Sequence, residues 1–408
     1  MQIGLQNSWV NVKNKIVVIG LGYVGLPVAV AAAKSGLFVV GIDLNIEKIK
    51  SLNSGVSPIE DIDHAQIQEL ISNGSFSASS DFSEIRDANI VLICVPTPLL
   101  KNQIPDLSMV EVAARSMSEY LMEGSLVILE STVAPGTTRN FLAPLIKSEA
   151  KVSHNGMQLA FSPERIDPSN KNWNLKNTPK LVAGLTNDSK KRAVQFYSRF
   201  VDEVIECESL EIAETAKLLE NSFRLINISF VNELLKLCFK LGIEVSKVIQ
   251  AAATKPYGFM PFYPSIGVGG HCIPVDPIYL SSKALEVAAP IQLIEVASQI
   301  NKSMPQYFVL RAEDMLGKLQ GKRILIVGVA YKPNVSDIRE TPVASLLLGL
   351  RQKGARVSWH DDLVKEWNGE KSVALGSDYD LAILATPHDY LDLIALGDVP
   401  ILNTRESI

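Results

Sequence analysis

The stretch Lys15-Ile16-Val17-Val18-Ile19 runs straight into Gly20-Leu21-Gly22-Tyr23-Val24-Gly25, and the apolar helical run LPVAVAAAKSG follows at once. A G-x-G-x-x-G pattern is weak alone, but here a strand precedes it and a helix follows. An acid, Asp43, closes the next strand-like run LFVVGID, 23 residues after Gly20. Together they dictate a parallel βαβ unit with a phosphate-binding first turn. Gly20 permits the tight turn, Gly22 lets a pyrophosphate approach the backbone, and Gly25 lets helix and strand pack closely, with the helix N-terminus favouring negative charge.

Asp43 is placed to accept from an adenosine ribose 2′-hydroxyl and to repel a 2′-phosphate, and no Arg follows it in Leu44-Asn45-Ile46-Glu47. NAD is therefore favoured over NADP. FAD, or a purely structural glycine turn with a solvated Asp, is the alternative.

The alternation continues. ANIVLICVP (88–96), SLVILEST (125–132) and MQLAFSP (157–163) read as further strands, and TPKLVAG (178–184) and EVIEC (203–207) add two more. From about Ser209 a long, mostly apolar helical stretch without proline runs to a stopping Gly242, and residues 206–305 read as a helical region joining two parts. After Met304 and Pro305 a helix leads into a second alternating segment, read as strand, helix, strand, strand, strand, so 306–408 form a smaller α/β unit. The fold class expected is α/β, two Rossmann-like doubly wound units joined by a helical region with a long central helix. Residues 1–205 are the dinucleotide-binding domain. The second unit has GVAYKP after its strand and lacks the glycine triplet, so it binds a different nucleotide or none.

Composition narrows the function classes. A net charge of −5 without long basic runs gives no electrostatic footprint for nucleic acid, and no apolar run is long enough to span a bilayer. Met1 to Lys15 is polar and unlike a signal peptide, which points to the cytoplasm. Cys94, Cys207, Cys238 and Cys272 are scattered, disfavouring a disulfide framework or a metal site. The central helix offers more apolar surface than one small core needs, so a homodimer through this region is expected.

The cysteine in GVGGHCIPVDP (267–277) stands out, because three glycines before it and two prolines after it argue for a fixed, close-fitting loop. Free cysteines are usually buried and inert, as expected of Cys94, but a thiol in such a loop beside a dinucleotide site points to covalent oxidation chemistry. On the long helix Lys217, Asn221 and Arg224 share one face. An amine and an amide there could hold a negatively charged oxygen in a poorly solvated cleft, although the helix alone reads more simply as a solvated polar stripe.

GLGYVGLP, VPTP (95–98), STVAPGTT (131–138), FSPERIDPSN (161–170), AKLLENSFRLINISFVNEL (216–235), GVGGHCIPVDP and AYKPNVSDIRETP (330–342) together resemble, in order, the motif set of the nucleotide-sugar 6-dehydrogenases, the UDP-glucose/GDP-mannose dehydrogenase family. The resemblance runs from about residue 15 to the C-terminus. It implies a four-electron oxidation of a sugar C6 alcohol to a carboxylate with two NAD⁺, the product serving polysaccharide synthesis. It also implies that 306–408 bind a UDP-sugar.

By the same resemblance Cys272 is the nucleophile of a thiohemiacetal and thioester. Lys217 and Asn221 stabilise the alkoxide and later oxyanions, and Asp276, with Asn221 and Thr132 holding a water, assists proton transfer. Glu164 acts as acid or base, and His271 is a positioning group. Val24, Asp43, Lys48, Thr97, Thr132 and Arg339 match cofactor contacts, beside Gly20, Gly22, Tyr23 and Gly25. Glu164, Arg165, Lys217, Asn221, Arg224, the Pro261 to Ser265 loop with Phe262 or Tyr263 as a base-stacking aromatic, Gly269 and Lys332 match positions near the nucleotide-sugar.

The SPERIDPSN form resembles the UDP-N-acetylglucosamine and UDP-N-acetylmannosamine enzymes, and is closer to the former. Ser169 replaces the family's usual glycine, and RETP its commoner RESP. Rival readings are a hydroxyacid dehydrogenase making a single hydride transfer, a regulatory protein retaining the fold, and a Cys-His hydrolase. The first has no need of Cys272, the second none of the four polar groups Lys217, Asn221, Cys272 and Asp276, and the third none of the glycines.

Overall fold

The computed structural model describes residues 15–59, 62–150, 158–167, 170 and 172–406, so the tail before Lys15, together with Pro168 and Ser169 of the SPERIDPSN stretch, lies outside the described residues. Two compact units emerge, one ending at Leu218 and the other beginning at Leu219.

In the first unit β1 (Lys15–Ile19), β2 (Phe38–Ile42), β3 (Phe76–Ser79), β4 (Ile90–Ile93), β5 (Leu126–Leu129), β6 (Gln158–Phe161), β7 (Lys180–Gly184) and β8 (Val204–Glu206) form one sheet. Its order is β3-β2-β1-β4-β5-β6-β7-β8, parallel except where β7 runs against β6. Successive side chains of a strand point to opposite faces, so Ile16 and Val18 enter one apolar layer while Val17 and Ile19 enter the other. Helices cover both faces, and β1 and β4 mark the point where strand order reverses. Ligands of doubly wound sheets bind beyond the carboxyl ends of strands at that point.

The long helix Leu210–Leu241 begins in this unit and ends in the second, stopped by Gly242 at φ +66°. In the second unit the helix Gln292–Leu316 runs through Pro305. The sequence reading began that helix after the proline. The helix continues because only one N–H is missing, the one that would pair with the Asn301 carbonyl, and the buried apolar residues of the helix hold it on both sides.

The strands of this unit are β9 (Arg323–Val327), β10 (Arg356–His360), β11 (Glu366–Trp367), β12 (Glu370–Lys371), β13 (Leu381–Leu384) and β14 (Ile401–Asn403). Four form a parallel sheet of order β10-β9-β13-β14, and β11 with β12 is a small hairpin absent from the sequence reading. Asn368 and Gly369, both at positive φ, make its tight turn.

Candidate active site

In the first unit most of the sequence-derived residues lie on the loops beyond the carboxyl ends of β1, β2, β4, β5 and β6. The turn after β1 is as tight as its glycines require. A Cβ on Gly25 would lie 1.9 Å from the Gly20 oxygen, and one on Gly20 2.7 Å from the Cys94 carbonyl oxygen. A Cβ on Gly22 would meet nothing within 4 Å, so the space before that glycine is open. The helix Gly25–Lys34 that follows has no side-chain cap at Val24 and no acid in its first turn. Its N-terminal N–H groups suit a pyrophosphate, while Tyr23 is exposed beside them.

Asp43 stands at the end of β2. Its Oδ2 accepts from the Leu21 N–H at 3.0 Å and from the Lys48 ammonium at 2.7 Å, and its Oδ1 from the Asn45 N–H at 2.9 Å. Burial acts to raise its pKa, but these hydrogen bonds and the Lys48 charge outweigh it and hold the carboxyl below its ordinary value. An ionised carboxylate has about four acceptor positions, so with three donors in place room remains for one ribose hydroxyl. These residues fit NAD.

Thr97 and Thr132 are half-buried on the loops after β4 and β5, which the Ser131 hydroxyl joins by donating to the Val95 carbonyl at 2.7 Å. The far end of the second loop is clamped by Glu214, a fully buried residue of the long helix that the sequence reading missed. Its two oxygens accept from the N–H groups of Gly136 at 2.6 Å and Thr138 at 2.8 Å. Burial pushes its pKa up against those bonds. Lys217 follows one turn later and is itself buried.

Glu164, after β6, is deeply engaged. Its Oε1 accepts from the N–H groups of Arg165 and Ile166, both at 2.7 Å, and its Oε2 from the Lys180 ammonium at 3.0 Å. Lys180 is 3% exposed and also reaches Glu130 at 3.0 Å, and Glu130 takes the Tyr197 hydroxyl. Two carboxylates thus share one buried ammonium. Burial would raise both, and it does raise Glu130, whereas the Lys180 charge and the two backbone N–H groups hold Glu164 below its usual range. Glu164 is therefore the more acidic of the two. The Arg165 guanidinium donates to the Pro179 carbonyl at 2.7 Å, fixing the next residue of the same loop.

In the second unit, Cys272 is exposed, four residues before the start of the helix Asp276–Glu286. Its carbonyl accepts from the Val275 N–H at 3.2 Å and from the Asp276 N–H at 2.8 Å, so thiol and carboxylate belong to one tight turn at a helix N-terminus. Asp276 is 4% exposed, and its Oδ2 accepts from the Asn221 amide at 2.6 Å. Asn221 is buried too. The solvated polar stripe read from the helix therefore fails at Lys217 and Asn221, while Arg224 is exposed.

The glycines before Cys272 answer to the chain's own packing. A Cβ on Gly269 would lie 2.7 Å from the Glu340 oxygen and 2.8 Å from the Tyr331 Cβ, and one on Gly267 would lie 3.0 Å from the Asn301 carbonyl oxygen, which Pro305 leaves without its usual helical donor. The Gly270 N–H donates to the Arg339 carbonyl at 3.0 Å. This joins the cysteine loop to the AYKPNVSDIRETP segment. Arg339 itself is paired with Asp337 through its guanidinium, and burial together with the Arg339 charge lowers the pKa of His271. Phe262 packs edge-on against Phe223 with centroids 5.6 Å apart, Tyr263 is exposed, and Ser265 is held by its N–H to the buried Asn232 at 2.9 Å. Lys332 is half-buried on the loop after β9.

Models of the UDP-glucose/GDP-mannose dehydrogenase family match the chain in three places: the NAD binding domain at residues 14–201, the central domain at 211–303 and the UDP binding domain at 325–404. A UDP-N-acetyl-D-glucosamine 6-dehydrogenase of Pseudomonas aeruginosa is 33% identical over 356 residues, 86% of this chain and 83% of that one. A UDP-N-acetyl-D-mannosamine dehydrogenase of Pyrococcus horikoshii is 35% identical over 382 residues, 92% of this chain and 89% of that one. Among solved structures, a UDP-D-ManNAc dehydrogenase from Pyrococcus horikoshii aligns with TM-score 0.89 at 32% identity, covering 97% of this chain and 96% of that one.

Proposed function

The chain belongs to the UDP-glucose/GDP-mannose dehydrogenase family as an NAD-dependent nucleotide-sugar dehydrogenase, and from that premise we propose that it oxidises UDP-N-acetylglucosamine at C6 to the uronic acid through a thioester on Cys272. The observation that carries the covalent route is the turn in which an exposed Cys272 is followed by a buried Asp276 holding Asn221 at 2.6 Å. A single hydride transfer needs no thiol in that position.

Oxidation of the alcohol removes one proton and one hydride. In this reading Asp276 takes the proton through a water held by Asn221 and Thr132, while the Lys217 ammonium and the second Asn221 N–H stabilise the alkoxide. An aldehyde alone has no hydride that leaves easily. Attack by the Cys272 sulfur forms a C–S bond and a thiohemiacetal, whose C–H supplies the second hydride and leaves a thioester. Water then adds, the C–S bond breaks, and carboxylate and thiol are released. Bound NAD⁺ accepts the hydride in each oxidation, so one sugar and one water consume two NAD⁺ and give two NADH, one carboxylate and three protons. Glu164, ionised and hydrogen-bonded on both oxygens, suits a base in the hydrolysis better than an acid.

The N-acetylglucosamine substrate rests on the SPERIDPSN stretch, and UDP-N-acetylmannosamine is the second reading because relatives of both names match over most of the chain. Initial rates of NADH formation with these two sugars and UDP-glucose decide between them. Turnover confined to the mannosamine or glucose substrate overturns the first choice and leaves the thioester route standing.

The three-part division at 205/206 and 305/306, cytoplasmic location and homodimerisation complete the proposal. Among the described residues none of the four cysteines is in a disulfide, which suits a reducing compartment, and no helix is long and apolar enough to cross a membrane. Phe223, Phe230 and Leu237 are exposed at seven-residue spacing on the long helix, a stripe suited to a second copy of the chain. A monomeric mass by light scattering would remove the dimer.

A further inference from the structure

The second unit repeats the nucleotide-site geometry of the first, with one reassignment. Gly328 at φ +82° donates its N–H to the His360 carbonyl at 2.8 Å, as Gly20 at φ +94° donates to the Ile42 carbonyl at 2.7 Å. The Val329 N–H then reaches the Asp361 Oδ2 at 2.9 Å, just as the Leu21 N–H reaches the Asp43 Oδ2 at 3.0 Å. Asp361 is thus the positional counterpart of the acid that meets the adenosine ribose.

Beyond that bond the two acids differ. The remaining partners of Asp43 are the Asn45 N–H and a half-exposed Lys48. Asp361 is 1% exposed, and its oxygens also take the N–H groups of Ala330 at 3.4 Å, Leu363 at 3.0 Å and Val364 at 2.9 Å, together with His388 Nε2 at 3.0 Å. Five donors fill the roughly four acceptor positions of a carboxylate. No ribose hydroxyl can be added.

His388 is buried, and its Nδ1 accepts from the Asn334 N–H at 2.9 Å. The ring therefore donates from Nε2 to Asp361 and accepts at Nδ1. Asn334, at φ +64°, exchanges two further bonds with Asp389 at 2.7 and 3.1 Å. The loop Ala330–Asn334, which carries Lys332, is in this way gripped at its start by Asp361 and at its end by His388.

We propose that Asp361 and His388 form a latch that presets the Ala330–Asn334 loop for the diphosphate of the nucleotide-sugar, converting the ribose acid of a dinucleotide site into a positioning residue. The proposal rests on the reading of residues 325–404 as a UDP-binding domain. A loop already held in its bound shape does not have to be ordered when the ligand arrives, so loosening the latch weakens binding without touching the chemistry.

The test uses the full chain with His388→Leu, His388→Asn and His388→Gln, measuring UDP and NAD binding by calorimetry and KM and kcat for the sugar. Asn places an acceptor near the position of Nδ1, and Gln places a donor near Nε2. The Leu and Gln variants are expected to lose about tenfold to a hundredfold in UDP affinity, with KM rising in step, kcat little changed and NAD binding retained. The Asn variant is expected to keep most of the affinity, because Asp361 retains four backbone donors while the Asn334 N–H keeps an acceptor.

If the Leu variant does not fold, the Asn and Gln pair carries the test, and a Gln variant binding UDP as tightly as Asn or more so overturns the latch. UDP affinity unchanged in all three also overturns it, as does loss of UDP and NAD binding together. Failure of the unmodified protein to bind UDP overturns the underlying reading of the unit, and the latch with it.

Discussion

Replacing Lys180 by Met keeps the length and apolar stem of the side chain and removes one buried charge. Two carboxylates, Glu130 and Glu164, each 3.0 Å from the lost ammonium, then face one another in a site with almost no solvent. At an effective dielectric of about 20 each lost attraction is gross about 5 kcal/mol. The chain escapes that cost by taking up one proton, which restores the local net charge of −1. Protonating a glutamate at pH 7 costs about 1.4 kcal/mol for each of roughly 2.7 pH units above its ordinary pKa, or about 4 kcal/mol, in line with the 3–5 kcal/mol typical of breaking a buried pair.

The pH dependence then has a definite sign. In the unmodified protein Glu164 lies below its unfolded value, so its ionised form contributes stability above the unfolded pKa that is lost as pH falls. In the variant the protonated carboxyl lies above its unfolded value, and the loss shrinks as pH falls. Urea unfolding of the full chain should show a deficit of about 4 kcal/mol at pH 7 and about 1 kcal/mol at pH 5. A deficit below about 1 kcal/mol at pH 7, or one that does not shrink in acid, would refute the reasoning.

Removing the carboxylate in Asp43→Ser should raise the KM for NAD by about tenfold or more and improve NADP use, since Lys48 is left as a cation beside the ribose site; unchanged NAD to NADP preference in steady-state rates would contradict the role given to Asp43. Glu214→Gln replaces an acceptor pair with one acceptor and one donor facing the Gly136 and Thr138 N–H groups. It should lower kcat about tenfold or more and destabilise the chain by about 2 kcal/mol, and wild-type kcat would show that the loop bearing Thr132 does not depend on this clamp.

Much of the fold was legible because its signals are local. KIVVIG, the glycine turn and LFVVGID announce a parallel unit through alternation and spacing, and the unbroken apolar helix ending at Gly242 announces itself by length. Short polar FSAS, which became edge strand β3, carries no comparable hydrophobic pattern. The hairpin at 366–371 was missed although Asn368-Gly369 is a strong turn signal, because its strands are only two residues each.

At the site, Cys272, Asn221 and Asp276 could be named individually from motif context, whereas the Asn221–Asp276 bond spans 55 residues and needs the fold. The buried group of Glu130, Glu164, Lys180 and Tyr197 was invisible for the same reason. Glu130 and Lys180 sit in runs that read as strands and Glu164 in a family motif, and nothing joins them until β5, β6 and β7 pair side by side. The glycines of GVGG were rightly read as close-approach positions, but what approaches at Gly269 and Gly270 is Tyr331 and its neighbours.

The most direct test of the covalent mechanism is the NADH formed per UDP-N-acetylglucosamine consumed, measured for the unmodified enzyme and for Cys272→Ser in parallel. The unmodified enzyme should give about two NADH per sugar, and the serine variant should bind NAD and sugar while losing acid production by about 10³-fold or more. A ratio near one for the unmodified enzyme, or near-normal acid production in the variant, would contradict the thioester route.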